Sequence, residues 1–116
     1  MRLKMKIASA LYLLLIAINQ LAIADENKAQ EVVFDRNKGN CLACHALPND
    51  KAAKSPGNIG PALMEMKSRY PDRAKLRAQI WDATARNPNT AMPPFGKNKI
   101  LTEEEIDMAV DYILKQ

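Results

Sequence analysis

The stretch Cys41-Leu42-Ala43-Cys44-His45 decides how the rest of the chain is read. Two thiols with two residues between them lie about one helical turn apart, so both can add across the two vinyl groups of a porphyrin. The histidine directly after the second thiol is then carried to the iron, where its imidazole becomes the proximal ligand. Other uses of such a run need partners that this chain lacks. A thioredoxin-like redox pair expects a βαβ setting, and a structural zinc site expects four ligands. Cys41 and Cys44 are the only cysteines and His45 the only histidine. The reading is one covalent haem c, attached through Cys41 and Cys44, with a plain disulfide as the alternative.

Working outward to the N-terminus, Arg2, Lys4 and Lys6 precede an apolar run from Ile7 to Ile18. Ala22-Ile23-Ala24 is a small-x-small pattern, followed at once by the polar Asp25-Glu26-Asn27-Lys28. These are the three parts of a Sec signal peptide, so residues 1–24 are expected to be removed and residues 25–116 to form a single cytochrome domain in the periplasm. A retained membrane anchor is the competing reading. The apolar run is shorter than a span of about 20 residues, and Asn19 and Gln20 interrupt it, so no membrane span is expected after cleavage. Export agrees with haem attachment, which takes place outside the cytoplasm.

Cleavage removes three of the 17 basic residues and none of the 13 acidic ones, leaving 14 against 13. The basic isoelectric point is therefore largely a property of the leader, and the composition gives no support to nucleic-acid binding. So short a domain buries a modest core, and a porphyrin would serve as its missing centre. Haem binding is expected to be coupled to folding.

The pattern along the domain is helical throughout, with no alternating strand signal, so the fold class is all-α. Residues 25–30 read as frayed, 31–38 as a short helix closed by Gly39, and 47–57 as loop. Gly60-Pro61 suits a tight turn into a short helix over 63–69, and 72–85 reads as a further helix. Asn87-Pro88-Asn89, Pro93-Pro94 and Phe95-Gly96 make 86–99 irregular. The last helix is the clearest: Thr102 and Glu105 form a capping box, with Leu101 and Ile106 at the staple positions. Ile106, Ala109, Val110, Ile113 and Leu114 then form its buried stripe.

Iron held by His45 has one axial position left, and no second histidine can fill it. Met64, Met66, Met92, Met108, water or a weaker ligand are the candidates. Methionines on helices are more often core filler, which covers Met64, Met66 and Met108. Met92 lies in an irregular segment before Pro93-Pro94, whose rings stiffen the backbone, and it is the expected sixth ligand. An open iron is the alternative.

The order helix, Cys-x-x-Cys-His, Gly-Pro-x-Leu, helix, Met-Pro-Pro, helix resembles a class I c-type cytochrome. That resemblance implies that the Pro61 carbonyl accepts a hydrogen bond from His45 Nδ1, that Leu63 packs on the porphyrin, and that Phe34 meets the last helix near Tyr112 and Ile113. Longer phrases are similar to the SoxX subunits of the sulfur-oxidising Sox system. They are Phe34-Asp35-Arg36, Lys38-Gly39-Asn40-Cys41, Pro56-Gly57-Asn58-Ile59-Gly60-Pro61, Asn87-Pro88-Asn89-Thr90-Ala91-Met92-Pro93-Pro94-Phe95-Gly96 and Ile100-Leu101-Thr102. SoxX-type subunits pair with a SoxA-type cytochrome. The pair couples thiosulfate oxidatively to a cysteine of the SoxYZ carrier, and the electrons leave through the SoxX haem to a downstream acceptor. This resemblance implies an electron-accepting subunit that is not catalytic alone, in keeping with the lack of a free nucleophile or base. The alternatives are a free cytochrome shuttle and, with an open iron, a haem sensor or peroxidase. Lys38, Lys51, Lys54, Lys97 and Lys99 flank the haem-bearing segments as a docking rim or as plain solvated surface. Pro93, Pro94 and Phe95 are expected to offer an apolar patch at the haem edge.

Overall fold

The last helix behaves as its sequence predicts, and the other elements assemble on it. In the computed structural model, which describes residues 2–116 and their side chains from residue 7, α4 spans Glu103–Leu114. Thr102 Oγ1 accepts from Glu105 N at 3.2 Å and the Glu105 carboxylate accepts from Thr102 N at 3.0 Å, closing the capping box. Leu101 and Ile106 are both buried beside it. The backbone N–H of Thr102 also makes Glu105 a stronger acid than an ordinary glutamate, aided by Lys38.

Before it come α1 (Arg2–Phe34), α2 (Met66–Arg69) and α3 (Arg73–Trp81), with single 3-10 turns at Cys41–Ala43 and Ala83–Ala85. No strand occurs among the described residues. Ala29, Val32 and Val33 of α1 bury against Ile106, Ala109, Val110 and Ile113 of α4, and Leu76 and Ile80 of α3 close the other side. Each such side chain, fully buried, contributes about 1.5–3 kcal/mol. Phe34 meets Tyr112 edge-on, with ring centroids 6.0 Å apart. The crossing of the first and last helices falls where the cytochrome resemblance implied.

Several boundaries differ from the sequence reading. Residues 25–30 are helical, because α1 runs without a break from the apolar leader into the domain. Glu26 and Lys28 reach across to Lys115 and Glu104. The helix stops at Phe34, ahead of the expected Lys38: Gly39 N donates to Val32 O at 2.9 Å, folding the chain back over the helix end. α2 begins at Met66, where Glu65 adopts a left-handed φ of 52°. The stretch 72–85 splits after Trp81, since Asp82 turns its side chain to cap the next 3-10 turn. Ile7–Phe34 is long and apolar enough to cross a membrane by length and composition, a test that a leader sequence also passes. The side chains of Arg2, Lys4 and Lys6 lie outside the described ones.

Candidate haem-binding site

The Cys41–His45 run is placed by one left-handed residue and one close-packed neighbour. Asn40 takes φ 47°, a conformation that asparagine tolerates better than most side chains, and turns the chain into the 3-10 turn Cys41–Ala43. His45 N donates to Cys41 O at 2.9 Å, which keeps both thiols and the imidazole on one compact loop. The segment from Gly57 to Leu63 then runs beside it. Gly57 N donates to Leu42 O (2.8 Å), Gly60 N to Cys44 O (2.8 Å) and Leu63 N to Ala46 O (2.7 Å). Gly60 must lack a side chain here, because a Cβ would stand 2.3 Å from Cε1 of the His45 ring.

His45 Nδ1 lies 2.7 Å from Pro61 O. A carbonyl only accepts, so Nδ1 carries a proton, and in the neutral ring that leaves the lone pair on Nε2, the atom left free to bind a metal. Arg69 fastens the same segment: its Nη1 donates to Ala62 O at 2.9 Å and Met64 O at 3.3 Å, and lies 3.4 Å from Met66 Sδ. Nothing in the sequence pattern singles out this arginine.

Cys41, Cys44, His45, Pro61, Leu63 and Met92 all line one cavity of about 520 Å³. That volume falls in the range of about 300–1,000 Å³ usual for small-molecule and cofactor sites. Buried Leu76, Ile80, Ala109 and Ile113 add an apolar lining. Burial pushes the Cys41 thiol up to about 11, so its sulfur sits in surroundings that suit an uncharged thioether. These residues fit a haem c, a group that takes up and gives back one electron at its iron. Among the described residues no cluster of three or more His, Cys, Asp or Glu side chains offers another metal site.

The methionines separate by environment. Met66 is buried in the core at the cavity wall, and Met64 is 42 % exposed and off the wall. Met108 packs half-buried on α4. Met92 is half-buried at the cavity, and its N–H donates to Thr90 Oγ1 at 3.1 Å. Sequence reasoning passed over that threonine.

Phe95 corrects an expectation. It is only 7 % exposed and belongs to the core, so it offers no surface patch. Pro93 is exposed on the cavity wall as expected, and the large exposed apolar side chains beside it at the mouth are Ile59, at 73 %, and Ile100, at 41 %. The lysine rim divides. Lys38 bridges Glu31 and Glu105 at 3.1 and 3.4 Å, and Lys97 pairs with Asp82 at 3.0 Å. Lys51, Lys54 and Lys99 are exposed on the loops, where Asp50 is the one acid between residues 36 and 64 and none occurs from 83 to 102.

A helical domain with a Cys-x-x-Cys-His turn, a Pro61-held imidazole and a methionine on the same cavity defines a c-type cytochrome domain. The chain belongs to the family described as cytochrome C oxidase, cbb3-type, subunit III, whose profile matches residues 26–113. The comparison with curated proteins gave no match. Among solved structures, a chain of SoxXA from P. pantotrophus is similar with a TM-score of 0.67 at 23% identity, over 76% of this chain and 78% of that one. That likeness supports the class I cytochrome c fold, the all-α architecture seen here.

Proposed function

We propose that the protein is a periplasmic monohaem electron carrier, with haem c bound through Cys41 and Cys44 and the iron held by His45 and Met92. The observation that carries this reading is the convergence of both thiols, the Pro61-oriented imidazole and Met92 on one apolar cavity. Leu63 packs on the porphyrin. The leader is removed after Ala24, a reading supported by the family match beginning at residue 26.

Within that class the protein acts as a SoxX-like subunit: it pairs with a SoxA-type cytochrome and takes electrons released when thiosulfate is coupled to a SoxYZ cysteine. The similar phrases around Cys41, Gly60 and Met92 support this assignment, as does the shared fold with a chain of SoxXA. Once both thiols are thioethers, the chain has no free thiol and no second histidine to hold thiosulfate or a carrier thiol. The subunit therefore relays electrons and leaves the sulfur chemistry to its partner. The exposed Ile59 and Ile100 supply the apolar contact with that partner.

The test is thiosulfate-dependent haem reduction. The isolated protein should show none, and reduction should follow addition of a SoxA-type partner with the SoxYZ carrier. Ile59→Lys should weaken partner binding with the haem spectrum intact. The family description names an oxidase subunit, which favours a second reading in which the haem delivers electrons to a terminal oxidase. Rapid reduction of such an oxidase, with no affinity for a SoxA-type partner, would select it.

A further inference from the structure

Met92 lies between two fastenings. On the N-terminal side, Asn87 N donates to Ala83 O (3.2 Å), Thr90 N to Asn87 O (3.1 Å) and Met92 N to Thr90 Oγ1 (3.1 Å). On the C-terminal side, Gly96 N and Lys97 N both donate to Trp81 O, at 3.1 and 3.2 Å. Between stand Pro93 and Pro94, with no N–H to donate and with φ fixed by their rings, and the buried Phe95, whose carbonyl accepts from Ile100 N and Leu101 N. A displacement at Gly96 is therefore passed along a stiff spacer to Met92.

The C-terminal fastening is a fitted contact. The indole of Trp81, the chain's one tryptophan, occupies the space a side chain at 96 would need. A Cβ there would stand 2.1 Å from Trp81 Cε3 and 2.2 Å from Cδ2, well short of the 3.4 Å at which ordinary contact begins. The indole is itself held. The Arg77 guanidinium stands 5.5 Å from its ring centroid. Arg77 in turn pairs with Asp107, at 2.9 Å, and with Glu103, both on α4. Lys97 Nζ also donates to Asp82 Oδ2 at 3.0 Å, tying the loop to the end of α3 a second time.

We propose that Trp81 and Gly96 form a clamp that sets the position of Met92 and so governs access to the sixth coordination site. Neither residue lines the cavity; both are positioning residues that act through the Pro93-Pro94 spacer. The proposal rests on the Met92 ligation put forward above. It goes further in naming what holds that ligand in place: the contact that couples the Met92 loop, through Trp81 and Arg77, to α4.

The experiment uses the ferric holoprotein, with the far-red sulfur-to-iron band and imidazole binding as readouts. An added ligand gains apparent affinity in proportion to the fraction of molecules in which the site is open. Trp81→Ala and Gly96→Ala should each weaken the band and tighten imidazole binding by at least about tenfold, with far-UV circular dichroism unchanged. Trp81→Phe, which keeps a ring against Gly96, should restore most of the wild-type behaviour. Lys97→Ala should shift both readouts in the same direction by a smaller factor, and it keeps the test decisive should the larger changes unfold the protein. Tyr112→Phe loosens the far end of α4, where Tyr112 bonds Asp50 and Gln30, without touching the loop or the partners of Arg77, and should leave imidazole affinity unchanged. The clamp is overturned if the Trp81 and Lys97 variants keep the wild-type band and imidazole affinity, or if Tyr112→Phe moves them equally. A band that survives Met92→Ala would instead remove the ligation reading, and the clamp with it.

Discussion

Replacing Tyr112 with phenylalanine isolates one buried polar contact that ties three parts of the domain together. The Tyr112 hydroxyl donates to Asp50 Oδ2, on the loop after the haem motif, and accepts from Gln30 Nε2 of α1 at 3.0 Å. Tyr112 is 4 % exposed, so its oxygen has little access to water. Burial, and then the hydrogen bond to the Asp50 carboxylate, push its pKa from 10.0 up to about 12. A hydrogen bond to a charged acceptor contributes about 1.5–3 kcal/mol. Asp50 can partly rehydrate in the variant, so the expected loss is about 2 kcal/mol at neutral pH, or about 10 °C in Tm for a domain of this size. Because the folded pKa is the higher one, the contribution is complete below pH 10 and is lost as the pH rises towards about 12. Urea unfolding of the holoproteins at pH 7, 10 and 12 should show the two stabilities converging over that window. A phenylalanine variant within about 0.5 kcal/mol of wild type at pH 7, or a difference that persists at pH 12, refutes the reasoning.

Two further outcomes follow from the geometry around the site and the last helix. Gly60→Ala brings a Cβ to 2.3 Å from the His45 ring, so it should sharply lower the yield of holoprotein with a low-spin spectrum; a normal yield and spectrum would contradict the close approach. Thr102→Ala removes the hydroxyl of the α4 capping box and should cost about 1 kcal/mol in urea unfolding, with Thr102→Ser close to wild type.

The elements most legible in the sequence were those whose signal is local. The capping box, staple and stripe of α4 all lie within fourteen residues; the box and staple are found as read, and the stripe too except that Leu114 is half-buried and Tyr112 joins it. Cys-x-x-Cys-His and Met-Pro-Pro mark their own segments in the same way, and the fold gathers them at one cavity. The misreadings came from turn contacts a few residues apart, which residue type and periodicity do not announce. Gly39 folding back on Val32 ends α1 early, and Asp82 capping its own turn ends α3 early. Phe95 is core because the Met92 loop turns inward under Leu101, where its carbonyl accepts from Ile100 N and Leu101 N. Arg69 and Thr90 act through a carbonyl and an amide of other residues, a use that no residue type or spacing announces.

Mass spectrometry of the protein under denaturing conditions, purified after export in cells that carry out haem c maturation, tests the central claim most directly. The account predicts one species, residues 25–116 plus a single haem, that survives acid–acetone extraction, and a haem-free mass for the Cys41→Ser, Cys44→Ser double variant. A wild-type mass equal to the polypeptide alone, with the haem extracted into solvent, would contradict it.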